Sequence, residues 1–209
     1  MNNKTIFFIG ILGASLFVIS SILGGILIDD YSIISQYLSE SYAIDTQYGE
    51  ILRFFGIIPS GILFTLFAFT AYKRLPQSKL NKWGFIGLGL FYGIATVIVG
   101  IFPCDNGCNK EFVNPSLSQV IHNLIGSVTY LFVPLCIILI AVSLKNLPLY
   151  KRLSNLGFTY GIISYLFVFL LISNPNSEFI GLYQRIIEVV FILWIINCAV
   201  KIKNNETSS

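Results

Sequence analysis

Residues Val120–Leu144 read VIHNLIGSVTYLFVPLCIILIAVSL, with no Lys, Arg, Asp or Glu among them. At 1.5 Å per residue, a helix of this length crosses a ~30 Å hydrocarbon core. Inside lipid every backbone N–H and C=O needs an internal partner, so only helices and closed barrels can span. Barrel strands are short and alternate in polarity. This run is apolar on every face, so it reads as a membrane helix.

Five more runs of the same kind flank it: Thr5–Ile28, Ile51–Tyr72, Gly84–Phe102, Leu156–Ser173 and Phe179–Val200. The expected fold is all-α: one transmembrane domain over residues 1–209, a polytopic bundle of six transmembrane helices. The first run exceeds the 7–15 residues of a typical signal-peptide h-region, and no A-x-A site follows it, so it reads as an uncleaved anchor. Composition agrees. Of 209 residues, 55% are hydrophobic and 11% charged; mean hydropathy is +0.78. A soluble domain carries about 25% charged residues.

Ten of the 13 Lys and Arg residues fall on one side of this topology: Lys4, Lys73, Arg74, Lys79, Lys82, Lys145, Lys151, Arg152, Lys201 and Lys203. The positive-inside rule makes that side cytoplasmic, with both termini inside, in the plasma membrane of the cell. The net charge of +3 forms no continuous basic face, so nucleic acid is not an expected partner; membrane lipids are. Small residues recur four apart at Ser20/Gly24, Gly89/Gly93 and Gly157/Gly161, spacing that lets helices approach closely in lipid. The tail Lys203–Ser209 is polar and expected to fray. Its Asn205-Glu206-Thr207 matches a glycosylation sequon but falls on the cytoplasmic side.

The remaining polar residues collect at the outer end. In the loop Asp29–Gly49, Asp30 is placed to cap a short amphipathic helix from Tyr31, lying on the interface. Tyr31, Tyr37, Tyr42 and Tyr48 suit an aromatic belt. The second helix opens with Glu50 and Arg53, and the sixth carries Gln184, Arg185 and Glu188. These allow intrahelical ion pairs Glu50–Arg53 and Arg185–Glu188, or a cross-pair Arg53–Glu188. Gln119, His122, Asn123 and Gly126 follow i, i+3, i+4, i+7, one polar stripe that the bundle can satisfy and lipid cannot. A single histidine there is a hydrogen-bonded structural residue or a general base.

Pro103 ends the third helix, and Asn106-Gly107 favours a tight turn between Cys104 and Cys108. On the outer side the two cysteines read as a disulfide, with a redox pair as the alternative. The turn would hold Asp105 near His122. Four cysteines and one histidine lack the paired spacing of a zinc site, and no metal or cofactor is expected.

Asp30-Tyr31-Ser32, Ser35, Ser39-Glu40, Phe102-Pro103-Cys104-Asp105, Gly107-Cys108 and His122-Asn123 with Gly126 together resemble the bacterial and archaeal membrane proteins known as domain of unknown function 998. The resemblance covers nearly the whole chain and implies a bundle of about six helices with no established activity. A fainter likeness is to the DRAM and Frag-type membrane proteins, some of them linked to lipid handling; it is an analogy that transfers no function.

Three functions compete. The first is a binding or accessory protein whose outer pocket, made of Arg53, Asp105, His122, Asn123, Arg185 and Glu188, takes a small polar ligand such as a lipid headgroup, the arginines pairing with phosphate. The second is an intramembrane hydrolase or transferase with His122 as general base, Asp105 or Glu188 orienting it, and Ser32, Ser35 or Ser39 as nucleophile; no nucleophile-elbow motif surrounds these serines. The third is a small transporter. It ranks last, because the inner half is nearly free of charge and a chain this small would have to act as a homo-oligomer.

Overall fold

The computed structural model describes residues 1–205. All regular structure among them is helical. Six long helical segments run along the chain: α1 (Asn3–Leu27), α2 (Gly49–Arg74), α3 (Lys79–Ile101), α4 (Leu117–Leu144), α5 (Lys151–Ser173) and α6 (Ile180–Asn204). The first five, α5 with its lead-in from Pro148, are long and apolar enough to cross a membrane. The polar tail starts later than expected, since Lys203 and Asn204 complete α6. Glu206 and Thr207 of the sequon lie outside the described residues.

The chain marks its own helix starts. Asn2, Ser78 and Ser116 accept the backbone N–H groups of Thr5, Asn81 and Gln119, at 2.8, 3.0 and 3.1 Å, and so cap α1, α3 and α4. Two π turns interrupt the long helices, at Arg53–Ile57 in α2 and Gly89–Ile94 in α3. The first runs straight into Pro59, which has no N–H to continue the regular ladder. The second contains Tyr92, buried to 1% exposure.

Each helix packs on the next, and α6 closes the ring against α1. Gly61 and Gly93 bring α2 and α3 into backbone contact: a Cβ on Gly61 would lie 2.8 Å from the Gly93 carbonyl oxygen. The start of α1 and the end of α6 lie at the same end, where Asn3 donates to the Ile202 carbonyl at 3.0 Å and Arg74 to that of Met1. Lys203 lies over Phe7 and Lys201 over Tyr150. This basic end is dry: Ile137, Ile140, Leu144, Ile195 and Ile202 are fully buried.

The first loop folds differently from the expectation. Asp30 has φ 57°, a left-handed turn instead of a helix cap. Ser32 N–H donates to the Gln36 side-chain oxygen at 2.7 Å, and the Tyr31 hydroxyl to the Tyr37 carbonyl at 2.6 Å. One helical turn forms, with the Gln36 N–H on the Ser32 carbonyl at 3.0 Å, and the Tyr37 carbonyl that would continue it is taken by the Tyr31 hydroxyl. The helix is instead a short 3-10 segment, Leu38–Tyr42, with every residue buried. Tyr42, expected in an interfacial belt, is 6% exposed.

Candidate functional site

Three segments meet at the end opposite the start of α1. The Leu182 N–H donates to the Ile34 carbonyl at 2.9 Å, and the Ile44 N–H to the Cys104 carbonyl at 3.0 Å. Glu40 ties the group together: it accepts from Tyr37 N–H at 2.8 Å and Gln36 Nε2 at 3.1 Å, and its ion pair with Lys110 spans 3.0 Å. Cys104 and Cys108 are at disulfide distance, with Cα atoms 4.8 Å apart. Ser39 Oγ is 3.3 Å from Cys108 Sγ.

Beneath this cap lies a cavity of about 430 Å³, within the ~300–1,000 Å³ range of ligand sites. His122, Asn123 and Gly126 of α4 line one wall, so the predicted stripe shares one face, with His122 buried, Gly126 half-buried and Asn123 exposed. Its first member, Gln119, is fully buried; it donates to Asn123 Oδ1 at 2.7 Å and accepts the Asp105 N–H at 2.7 Å. Glu188, 8% exposed, lies on the α6 side. Its carboxylate accepts from the Tyr92 and Tyr130 hydroxyls, each at 3.0 Å. Gln184, one turn before Glu188, donates to the Tyr130 oxygen at 2.8 Å and accepts the Leu38 N–H at 2.6 Å. The network therefore binds α3, α4 and α6 to the buried 3-10 segment.

Of the six residues expected to converge, the structure brings His122, Asn123 and Glu188 to this cavity and leaves three elsewhere. Arg53 turns to the first loop and donates to the Tyr42 carbonyl at 3.0 Å. Arg185 donates to the Gln36 carbonyl at 2.9 Å and the Gly181 carbonyl at 3.1 Å, and also to the Tyr31 hydroxyl. Asp105 faces the start of α4, accepting Ser116 N–H at 3.0 Å and Ser116 Oγ at 2.5 Å. Those two bonds hold the Asp105 carboxyl below the usual carboxylate range. Burial pushes the Tyr42 phenol well up, and the Glu188 charge pushes it further.

None of the expected ion pairs forms. Among the described residues the one ion pair is Lys110–Glu40; Arg53 and Arg185 meet backbone carbonyls instead, because the first loop folds in over them. Asp105 does not reach His122 either. His122 Nδ1 lies 2.9 Å from the Phe102 carbonyl oxygen, and its ring packs near Tyr42. Of the candidate nucleophiles only Ser39 lines the cavity, and it neighbours Cys108; the Ser32 hydroxyl accepts the Ser35 N–H. No serine hydrogen-bonds His122 among the described residues.

Sequence reasoning missed Tyr92 and Tyr130. Tyr130 was within reach, since it follows Gly126 by four and extends the α4 stripe one more turn. Tyr92 carries no such signal: it is one aromatic in an apolar run, aimed by the π turn around it. A second, mostly apolar cavity of about 610 Å³ lies between α1 and α6. Arg185 lines it, and Phe17, Leu38 and Glu188 line both cavities.

No curated protein and no solved structure matches the chain. A family model described as "Protein of unknown function (DUF998)" matches residues 11–201, a span that includes every residue of the cavity lining. The chain belongs to the DUF998 family, whose description assigns no activity.

Proposed function

We propose that this is an integral membrane binding protein that crosses the bilayer six times and receives a small polar ligand or a lipid headgroup in the cavity under the disulfide cap. The sixth crossing would be α6. The other five helices of the ring are long and apolar enough to span, and α6 itself is 25 residues long, about 37 Å at 1.5 Å per residue. The ten cations at the basic end support a cytoplasmic position for both termini in the plasma membrane. The disulfide end then faces an oxidising compartment, where the Cys104–Cys108 bond would persist. Alkaline phosphatase fused at Lys110 should be active and one fused at Lys79 inactive; the reverse pattern sinks this orientation.

One observation carries the binding reading. Glu188, Tyr92, Tyr130 and Gln184 form a connected, buried polar network on the wall of an open cavity. Buried polar groups are costly unless satisfied, and a fully closed core would have used apolar residues there. Gly126 supplies the test. A Cβ added to it meets nothing within 4 Å, so Gly126→Trp should fill the cavity with little strain on its neighbours. Native mass spectrometry of the purified protein should show a retained small molecule or lipid in the parent and none in Gly126→Trp. Equal retention by both, or none by either, overturns the reading.

A further inference from the structure

We infer that the cavity is built for an organic ammonium group held against Glu188, an inference that rests on the binding reading above. An anion would need the arginines. Both are engaged outside this cavity, Arg53 on the Tyr42 carbonyl and Arg185 on those of Gln36 and Gly181. The one Lys or Arg in the lining is Lys110, which is paired with Glu40 at 3.0 Å and sits 5.4 Å from the Tyr37 ring centre. A phosphate or carboxylate in the cavity would meet the Glu188 carboxyl with no unpaired lysine or arginine beside it, and His122 turns its Nδ1 to the Phe102 carbonyl.

Glu188 presents the opposite case. It is the one carboxylate in the lining, 92% shielded, and its two phenol donors leave it without a counter-charge. No Lys, Arg or His nitrogen among the described residues lies within 4.0 Å of it. Phe17, Tyr42 and Tyr130 line the same space, together with Tyr37, whose ring lies under Lys110, and Tyr92, which stacks on Phe64. Aromatic faces beside one carboxylate are the means by which proteins hold primary to quaternary ammonium groups, through cation–π attraction and a single counter-charge. A bare divalent ion would want six or more oxygen ligands, and a single carboxylate with two phenols falls short of that. The ammonium group can come from a free amine in water or from the headgroup of a lipid; both present the same chemistry to Glu188.

The test uses the full chain in phosphatidylglycerol nanodiscs, which contain no ammonium headgroup. Calorimetry with choline is compared with 3,3-dimethyl-1-butanol, its uncharged isostere, and with inorganic phosphate. In a second arm, nanodiscs of phosphatidylcholine carry no added amine, and lipid retained after extraction is read by native mass spectrometry. Choline binding in the first arm points to a free amine; retained phosphatidylcholine alone points to a lipid headgroup. Either is expected to be weakened about tenfold or more by Glu188→Gln, with the melting temperature little changed, and abolished by Gly126→Trp. The choline-to-butanol comparison needs no variant, so it stands even if Glu188→Gln fails to fold. Binding of the butanol or of phosphate as tight as choline, lost in Gly126→Trp, overturns the ammonium inference and leaves the cavity reading intact. Ammonium binding unchanged in a folded Glu188→Gln overturns the assignment to Glu188. No binding of any probe in either arm overturns both.

Discussion

The two ends of this bundle are made from the same helices and solve opposite problems. At the basic end α4, α5 and α6 meet mainly through apolar side chains: Ile140, Ile195 and Ile202 are fully buried, and Trp194, whose indole N–H has no hydrogen-bond partner among the described residues, fills the space left by Gly157. At the disulfide end the same helices carry Gln184, Glu188, His122 and Tyr130 around a cavity of about 430 Å³. The first end is held by packing volume, the second by a closed set of hydrogen bonds under a cap. Bulk apolar packing tolerates no removal of volume, whereas a hydrogen-bonded cavity tolerates loss of volume but not loss of a donor.

The sharpest way to break that contrast is Trp194→Ala. Trp194 is fully buried at the dry end, so the expected loss is about 3–5 kcal/mol, read by thermal or steric-trapping denaturation in detergent micelles. A loss below about 1 kcal/mol would mean that the dry end carries less of the stability than its packing implies.

Smaller, and confined to the other end, is the effect of replacing Cys104 and Cys108 with Ser. The bond closes a short loop, and the lost constraint is worth about 2 kcal/mol. Its consequences should be local. The Cys104 carbonyl accepts from Ile44 N–H, and Cys108 Sγ touches Ser39, so amides over 38–46 should exchange faster while those over 191–202 keep their protection. Equal loosening at both ends would show that the cap and the packed end fold as one unit and would remove the contrast.

The smallest expected effect is an acid step at the turn. The Ser116 bonds lower the Asp105 carboxyl in the folded state. A lowered folded value stabilises when the group is ionised. The contribution is therefore whole above the ordinary value of 3.8 and is lost as pH falls through the depressed folded value. Hydrogen exchange at Ser116–Gln119 should rise below about pH 3.8 in the parent protein. Ser116→Ala should already exchange fast at neutral pH. A parent protein with no acid step would show that Asp105 does not hold the start of α4.

Much of this was legible in the chain. Of the α4 stripe, Gln119 and His122 are buried and His122, Asn123 and Gly126 border one cavity, with Asn123 exposed, because helical periodicity is local and side chains three and four apart must share a face. Pro103 and Asn106-Gly107 likewise announced the turn that brings Cys104 to Cys108. The arginines were not legible. Arg53 and Glu50 sit one turn apart, yet Arg53 bonds a carbonyl from another segment. Their local spacing allowed an ion pair, and the infolded loop supplied a closer acceptor.

The division between the two kinds of information is physical. Length, apolarity and charge are properties of a segment, and they determined from sequence alone that the chain is built of long membrane-like helices with its cations gathered at one end. Which polar groups confront one another is a property of pairs brought together from distant parts of the chain. That Glu188 should receive Tyr92 and Tyr130, rather than either arginine, was decided only by the closed ring of helices, the π turn that aims Tyr92, and the buried loop that claims the guanidinium groups. A carboxylate's partners are chosen by distance in space, and no spacing along one helix encodes the distance to another.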